Sequence, residues 1–211
     1  MKIPGTTSKC GVADVDVTLV QDGAPTLLPM QGRSACIHVS DVIRDLCVQL
    51  GHFSDDRDMN MAQLELGCAF EHAIISRYAL HDPARYTQPG EIMVDGLPGT
   101  PDLFDVVDYM PHEIKCTWMS TKRAPGDEKF WKYEVQLKAY CYMLGANVAK
   151  LHVCYVNGDY KNSGPVYRVW QYTWTDNELA ENWMMLKSRR DSMKLELDKE
   201  VSDATANVWT E

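Results

Sequence analysis

The pattern of apolar and polar positions along the chain predicts four helices and five strands. Apolar residues recur at helical spacing in four segments, and short apolar runs bounded by turn residues predict the strands. The predicted order is α, α, β, β, β, α, β, β, α, which favours an α/β fold with helices on the faces of a sheet. The predicted spans are 41–50, 59–80, 91–96, 100–107, 112–118, 128–144, 151–156, 166–174 and 175 to about 198.

Start and stop signals support several of these boundaries. Ser40 is a candidate N-cap of the first helix, and Gly51 follows its end. Thr175 and Glu178 form a T-x-x-E capping box that opens the last helix. Gly-Leu-Pro-Gly and Asp-Tyr-Met-Pro separate the three central strands as turns. Residues 1–37 are expected to be irregular, with a candidate strand at 14–20, and the chain is expected to form one domain over 1–211.

Composition narrows the class of protein. The chain of 211 residues has a net charge of −9 and a pI of about 5.1, which argues against a nucleic-acid coat protein with a basic surface. Its seven cysteines are odd in number and lack a CxxC pair, so reduced thiols are expected rather than a disulfide framework or a closed zinc site. No apolar run is long enough to span a bilayer. These features predict a soluble, cytoplasmic protein without a membrane partner.

The charges are nevertheless unevenly distributed. Residues 91–113 contain six carboxylates and no Lys or Arg, and the next segment, 115–138, contains six basic residues against three acidic ones. Closely spaced carboxylates repel each other unless water or a cation screens them. The acidic segment is therefore either a solvated hairpin or a place where two or three carboxylates hold a divalent metal.

Two of the predicted strands favour the metal. Glu113 and Lys115 lie two residues apart on one strand and should share a face, while Ile114 and His112 face the other way. Asp102 lies eleven residues earlier and can reach the same face if the two strands pair. With the backbone carbonyl of Ile114, the two carboxylates would form an oxygen site suited to Mg²⁺ or Mn²⁺. The competing interpretation is a surface salt bridge beside a turn aspartate.

These residues resemble a known family. Gly99-Thr100-Pro101-Asp102 followed by Glu113-Ile114-Lys115 is similar to the signature of the PD-(D/E)xK nuclease superfamily, whose core is αβββαβ. The segment 132–140 resembles the QLxxY motif of its RecB-like and lambda-exonuclease (YqaJ) branches, and 66–71 resembles their upstream acidic helix. The similarity spans roughly residues 60–156. It implies a restriction-endonuclease-like core with a mixed sheet flanked by helices, plus an extra C-terminal strand and a long helix.

The resemblance also implies roles for individual residues. The expected catalytic residues are Asp102, Glu113, Lys115, Gln136 and Glu71, and the expected metal ligands are Asp102, Glu113, Glu71 and the Ile114 carbonyl. Substrate contacts are expected from the QLxxY tyrosine and the basic strip: Tyr140, Lys122, Arg123 and Lys132. For Glu71, Gln136 and Tyr140, ordinary helix-surface or core positions are the alternatives. Some RecB-like relatives bind an iron–sulfur cluster through four cysteines, but no such cluster of cysteines exists here, so none is expected.

The sequence thus predicts a Mg²⁺- or Mn²⁺-dependent DNA exonuclease of recombination, repair or phage DNA processing, acting in a bacterial or phage-infected cell. A homo-oligomer and a single-strand-annealing or recombination partner are further expectations from the resemblance. An endonuclease on the same fold, or a non-catalytic DNA-binding or anti-defence protein, remain open. The presence of Asp102, Glu113 and Lys115 together argues against the non-catalytic alternative, because hydrolysis needs all three and folding does not.

Overall fold

The computed structural model describes residues 36–52, 61–162 and 164–208. The candidate strand at 14–20 and nearly all of the N-terminal segment lie outside these residues. In chain order the elements are α1 (Val39–Gln49), α2 (Met61–His81), β1 (Tyr86–Thr87), β2 (Ile92–Val94), β3 (Leu97–Gly99), β4 (Leu103–Asp105), β5 (Met110–Thr117), a 3₁₀ turn (Glu128–Phe130), α3 (Trp131–Leu144), β6 (Val148–Tyr155), β7 (Val166–Thr173) and α4 (Asp176–Val208).

Five strands form one mixed sheet in the order β1-β4-β5-β6-β7. Among the strands of the described ranges, β5 and β6 are the parallel pair, with Glu113 opposite Leu151, and α3 makes the crossover between them. The other neighbouring pairs in this sheet are antiparallel. Strand β5 is therefore the central strand, buried between neighbours and covered on both faces.

Helices cover both faces of this sheet, which confirms the predicted fold class. Helix α2 packs on one face, where Ile74, Ile75 and Ile114 belong to one buried cluster. Helix α3 packs on the other face, with Leu137 and Leu151 in a second cluster. Helices α1 and α4 lie outside α3 and form a third cluster with it. Among the described residues, no helix has both the length and the apolarity that crossing a bilayer requires.

The predicted helix boundaries agree with the structure to within a few residues, except that α4 continues to Val208 instead of ending at about 198 and that one N-cap differs. Thr175 and Glu178 form the predicted capping box, with Thr175 N donating to Glu178 Oε2 at 2.8 Å and Glu178 N donating to Thr175 Oγ1 at 3.3 Å. At α1, however, the N-cap is His38 rather than Ser40, because Asp41 accepts from the His38 N–H at 2.9 Å and completes that cap.

The predicted turn at 96–99 is wrong. Leu97–Gly99 is strand β3, which pairs with β2 in a separate two-stranded hairpin. Its turn is Asp95-Gly96, where both residues have a positive φ, of 49° and 71°. Asp-Gly is the residue pair that a two-residue hairpin turn favours, and it outweighs the Gly-Leu-Pro-Gly signal next to it.

The turn between β4 and β5 also lies earlier than the sequence predicted. It covers 106–109, and Pro111 is already part of β5. Asp105 fixes this turn, since its Oδ1 accepts from the N–H groups of Val107 and Asp108, both at 3.0 Å. Strand β4 is only three residues long; it begins with Leu103 opposite His112 and ends with Asp105 opposite Met110.

A chain of buried polar side chains lies on the α2 side of β5. His112 faces away from Glu113, as predicted, and its Nδ1 is 3.2 Å from His152 Nε2. His152 Nδ1 is 2.6 Å from the Tyr167 hydroxyl. Burial first, and the positive charge of Lys150 next, lower the pKa of His112 to about 3, and burial lowers the pKa of His152 well below its usual value. Both rings are therefore neutral in the folded protein.

Candidate active site

The central strand presents Glu113 and Lys115 on the α3 side, as the alternation of side chains requires. Ile114 points to the opposite face and joins the α2 cluster. The Lys115 ammonium forms an ion pair with Glu113 Oε1. Glu113 is 1% exposed, and its other oxygen, Oε2, has no hydrogen-bond partner among the described residues. A buried carboxylate oxygen without a partner is costly unless a ligand satisfies it.

The electrostatics of this pair reflect its neighbours. Burial, and then the charge of Asp102, raise the pKa of Glu113 to about 8, against the opposing effect of Lys115. Burial alone would lower the pKa of Lys115, but the charges of Glu113, Asp102 and Glu71 raise it well above its usual value. Lys115 therefore remains a cation, and the pKa of Glu113 stays raised because burial outweighs its contact with Lys115.

Asp102 lies immediately before β4, and its side chain bonds to β5 beyond the last backbone pair between the two strands, Leu103 with His112. Its Oδ2 accepts from the Ile114 N–H at 2.7 Å. Burial raises the pKa of Asp102, while Lys115 and the Ile114 N–H act in the opposite direction. Gly99 sets the path of the chain into this position. A Cβ there would lie 3.0 Å from side-chain atoms of Met143 and Tyr140, so a larger residue would require these side chains to shift.

Glu71 reaches the site from α2. Its Oε1 accepts from the Cys116 N–H at 3.1 Å. Gly67, one helical turn earlier, brings the helix close to the strand, since a Cβ on it would lie 4.0 Å from the Cys116 Cβ. Burial raises the pKa of Glu71, which Lys115 opposes and Asp102 reinforces. Glu71 is thus placed beside Asp102 and Lys115 although it is far away in sequence.

Two carboxylates accept the backbone hydrogen bonds that a neighbouring strand would otherwise accept along one edge of β5. Beyond His112, β4 offers no backbone partner, and the side chains of Asp102 and Glu71 accept from Ile114 and Cys116 instead. Within an extended strand, the N–H and the C=O of one residue point to the same edge. The Ile114 carbonyl therefore points to the edge on which both carboxylates lie.

The donor set fits a hard divalent cation, although no three His, Cys, Asp or Glu side chains in the described ranges are already arranged around a metal position. Glu71, Asp102 and Glu113 each use one carboxylate oxygen in the contacts described above, so each group retains a second oxygen. Burial raises the pKa values of all three carboxylates because it disfavours their charged forms, and a bound cation would offset that cost. Oxygen ligands of this kind suit Mg²⁺ or Mn²⁺.

Gln136 and Tyr140 are joined to each other on α3. Gln136 Nε2 donates to the Tyr140 hydroxyl at 2.8 Å. Tyr140 is 3% exposed, and burial followed by the charge of Glu113 raises the pKa of its hydroxyl. Tyr140 is thus a core residue next to the carboxylates, and Gln136 is the more exposed member of the pair.

The structure does not gather the predicted basic strip into one surface. Lys122 is exposed on the loop after β5, and Arg123 forms an ion pair with Asp127 at 2.6 Å. Lys132 lies on α3, half-buried, with its ammonium 4.9 Å from the centre of the Tyr133 ring. Of the three predicted substrate-contacting cations, Lys132 is therefore the most buried.

Sequence reasoning missed Tyr133. This residue is 7% exposed, and its hydroxyl is close enough to Lys115, Glu71 and Glu113 for their charges to affect its pKa, which burial raises first of all. Tyr133, Gln136 and Tyr140 occupy positions i, i+3 and i+7 of α3, one face of a helix. That spacing was the signal that could have identified it.

Comparison with solved structures identifies the fold. The chain superposes on an alkaline exonuclease from Laribacter hongkongensis with a TM-score of 0.54 and 17% identity, over 81% of this chain and 94% of that one. The chain has the alkaline exonuclease fold. The same exonuclease in complex with dAMP gives a TM-score of 0.54 and 18% identity over 80% of this chain and 91% of that one.

A phage-related exonuclease from Haemophilus somnus 129PT is less similar, with a TM-score of 0.47 and 16% identity over 77% of this chain and 83% of that one. No family model matches the sequence, and no curated protein does. The alkaline exonuclease fold agrees with the PD-(D/E)xK resemblance that the motifs around Asp102 and Glu113 indicated.

Proposed function

We propose that this protein is a Mg²⁺- or Mn²⁺-dependent DNA exonuclease that hydrolyses phosphodiester bonds at the site around β5. The observation that carries the proposal is the convergence of Glu71, Asp102, Glu113 and Lys115 on that strand, with a buried, unpartnered oxygen on Glu113. The alkaline exonuclease fold supports it. The complex of that exonuclease with dAMP supports a nucleotide ligand for this chain.

Asp102, Glu113 and the Ile114 carbonyl would hold the cation, with Glu71 as a direct or outer ligand. When bound, the cation lowers the pKa of a water and stabilises negative charge on the phosphate. Binding of the cation would relieve the mutual repulsion of the three carboxylates. Glu113 would lose its proton, since a nearby positive charge favours the ionised form.

Lys115 acts as a hydrogen-bond donor rather than a base. Its surrounding carboxylates keep it protonated, so it has no lone pair with which to accept a proton from water. It can orient the attacking water or bind an oxygen of the phosphate on which charge develops. Gln136, on the adjacent helix, would position the strand.

An exonuclease fits the charge of the protein better than an enzyme that scans duplex interiors. A net charge of −9 gives weak long-range attraction to DNA, so productive binding would depend on leading a strand end into the site. Recombination, repair or phage DNA processing is the proposed setting, in the cytoplasm. A homo-oligomer or a single-strand-annealing partner would help to hold the DNA there.

The test compares linear DNA with covalently closed circular DNA, in Mg²⁺ and in EDTA. We expect degradation of the linear DNA in Mg²⁺ only, intact circles, and no activity from Glu113→Gln, which keeps the shape of the side chain. Lys115→Met should be similarly inactive but should still bind Mn²⁺ in a calorimetric titration. Linearisation of closed circles, lost in Glu113→Gln, would assign the protein to the endonucleases. DNA binding without cleavage in any divalent metal would support the non-catalytic alternative.

A further inference from the structure

The β2–β3 hairpin lies outside the five-stranded sheet, so side-chain contacts must fix its position. Within the described ranges its two strands pair with each other and not with the main sheet. Leu97 of β3 is fully buried in the cluster that α1, α3 and α4 form, and Trp183 of α4 belongs to the same cluster. The position of the hairpin therefore depends on the layer of helices rather than on backbone bonds to the sheet.

The tip of this hairpin is attached to one face of α4. Asp95 Oδ2 accepts from the Trp183 indole N–H at 3.0 Å and from the Lys187 ammonium at 2.9 Å. The Arg190 guanidinium donates to the Asp95 carbonyl. The three donors occupy positions i, i+4 and i+7 of the helix, and Trp183 and Arg190 are buried. One turn residue thus accepts three hydrogen bonds from a single helix.

The other end of the hairpin leads directly to Asp102. Gly99 ends β3, and a Cβ on it would lie 3.0 Å from side-chain atoms of α3. Thr100 and Pro101 are the two residues that separate Gly99 from Asp102. Proline fixes its own φ and restricts the residue before it, so this link has little conformational freedom. A displacement of β3 is therefore passed on to Asp102 within three residues.

The remaining contacts of Asp102 fix its opposite side. Its Oδ2 is bonded to the Ile114 N–H at 2.7 Å, and the next residue, Leu103, pairs with His112 of β5. The orientation of the carboxylate about its bond to Ile114 depends on the backbone before Asp102 as well as after it. The backbone before it belongs to the hairpin, so the direction of the second oxygen depends on where the hairpin lies.

From these contacts we propose that Asp95 is a positioning residue for the metal site: α4 holds it, and the hairpin then holds Asp102 where the carboxylate can bind the cation. The inference rests on the proposed nuclease function and names a residue outside the site on which the site depends. Groups that bond directly to a metal ligand contribute about ten- to hundredfold to metal affinity, and Asp95, seven positions before Asp102, should contribute roughly three- to tenfold.

The experiment uses two matched pairs of variants. Asp95→Gly removes the side chain at a residue whose φ is 49°, which glycine adopts without strain, whereas Asp95→Asn keeps an oxygen that can accept from Trp183. Arg190→Met removes a guanidinium bound to the hairpin, whereas Arg189→Met removes its neighbour, which is bound to Asp45 of α1. Calorimetric titration gives the Mn²⁺ affinity of each protein without DNA, and thermal unfolding gives its stability without metal.

Asp95→Gly and Arg190→Met should each weaken Mn²⁺ binding about three- to tenfold. Asp95→Asn should retain most of the affinity, because its amide oxygen still accepts from the indole. Arg189→Met should have a lower melting temperature but the Mn²⁺ affinity of the wild type. The Mg²⁺ concentration for half-maximal cleavage of linear DNA should rise by the same factor as the Mn²⁺ dissociation constant, whereas kcat at saturating Mg²⁺ should change little, since a bound cation draws Asp102 into place.

Wild-type Mn²⁺ affinity in both Asp95→Gly and Arg190→Met would overturn the inference. A loss of affinity in Arg189→Met as large as that in Arg190→Met would also overturn it, because metal binding would then follow the stability of α4 in general. If Arg190→Met fails to fold, the comparison of Asp95→Gly with Asp95→Asn decides, since this side chain is half exposed.

The titration also separates this inference from the proposed function, because it does not require cleavage. A wild-type protein that binds Mn²⁺ but leaves linear DNA intact would lose the proposed function, and the variants would still decide the role of Asp95. Normal cleavage with equal Mn²⁺ affinities in all variants would retain the function and exclude that role. A wild-type protein without Mn²⁺ binding would overturn both.

Discussion

Glu71 Oε1 accepts a hydrogen bond from the backbone N–H of Cys116 at 3.1 Å, across 45 residues of sequence. This contact attaches α2 to the central strand at the point where β4 no longer supplies a partner. Glu71 therefore has two separable roles. Its oxygen holds a backbone N–H, and its charge adds to the negative potential around Glu113.

We predict that Glu71→Gln separates these roles. The amide oxygen can still accept from Cys116, so the melting temperature should stay close to wild type, whereas the lost charge should weaken Mg²⁺ activation by roughly tenfold. Glu71→Ala should in addition be destabilised by about 1–3 kcal/mol, because the Cys116 N–H loses its partner. Metal titrations of activity and urea unfolding measure the two effects. Equal metal dependence of Glu71→Gln and wild type would exclude Glu71 as a ligand.

The pH dependence of stability should show the raised pKa of Glu113. Its pKa is about 8 in the folded protein and 4.5 ordinarily, so between these values the folded state binds the proton more tightly than the unfolded state does. The resulting stabilisation is complete below pH 4.5 and is lost as the pH rises through 8. In metal-free buffer, Glu113→Gln should lose less stability than wild type between pH 5 and pH 8.5. Urea unfolding at both values tests this, and parallel losses would contradict it.

Mg²⁺ should reverse that loss. A ligand that binds only the folded state stabilises it in proportion to the logarithm of its concentration, so the melting temperature of the wild type at pH 8 should rise with Mg²⁺ and fall again with EDTA. Glu113→Gln and Asp102→Asn should show no such rise. An equal rise in these variants would place the cation elsewhere.

The bond between Gln136 and Tyr140 predicts how their substitutions combine. Gln136→Ala should reduce turnover by one to two orders of magnitude, about 1.4–2.8 kcal/mol in barrier, and less than loss of Asp102 or Glu113. Tyr140→Phe removes only the partner that orients Gln136, so its effect should be smaller. The double variant should be no slower than Gln136→Ala alone. Additive losses would mean that Tyr140 contacts the substrate separately.

The buried histidine pair should make the protein sensitive to mild acid. The pKa of His112 is about 3 in the folded state and 6.5 ordinarily, and that of His152 is also lowered. Their contribution to stability is complete above pH 6.5 and is lost progressively as the pH falls towards 3, because the unfolded state then binds protons that the folded state excludes. Between pH 7.5 and 5 the wild type should therefore lose more stability than His112→Gln.

The active-site carboxylates act in the opposite direction over the same range, so the comparison must be made between proteins at equal pH. His72→Gln is a suitable control, since His72 is exposed on α2. If the stability difference between wild type and His112→Gln does not change with pH, folding does not lower the pKa of His112.

The sequence predicted the helices and the faces that the side chains of β5 occupy, because both depend on local patterns. Helical periodicity located α2 and α3, and alternation along the strand placed Glu113 with Lys115 and turned His112 away. The motif containing Asp102 implied a partner for that strand, and the structure shows Asp102 bonded to it.

Features that depend on tertiary contacts were harder to predict. The two-residue strand β1 is too short to produce a pattern of its own, and it forms by pairing with β4. The basic residues are continuous along the sequence, but their surroundings differ in the structure. Arg123 lies on a loop and pairs with Asp127, whereas Lys132 lies on α3 beside the Tyr133 ring. A cavity at the carboxyl end of β5, whose lining includes Cys47, Thr117 and Tyr133, is built from three separate parts of the chain, so no single segment encodes it.

The hydrogen bonds from β5 to Asp102 and Glu71 also make it possible to follow the positions of these carboxylates by hydrogen exchange. The N–H groups of Ile114 and Cys116 are protected by carboxylates rather than by a neighbouring strand. Their exchange with deuterium in solvent therefore follows the position of Asp102 and Glu71, whereas exchange at the β6 side of the same strand follows opening of the sheet. Faster exchange at Ile114 and Cys116 alone would therefore show that the carboxylates have turned toward a ligand, whereas faster exchange along the whole strand would show that the domain unfolds.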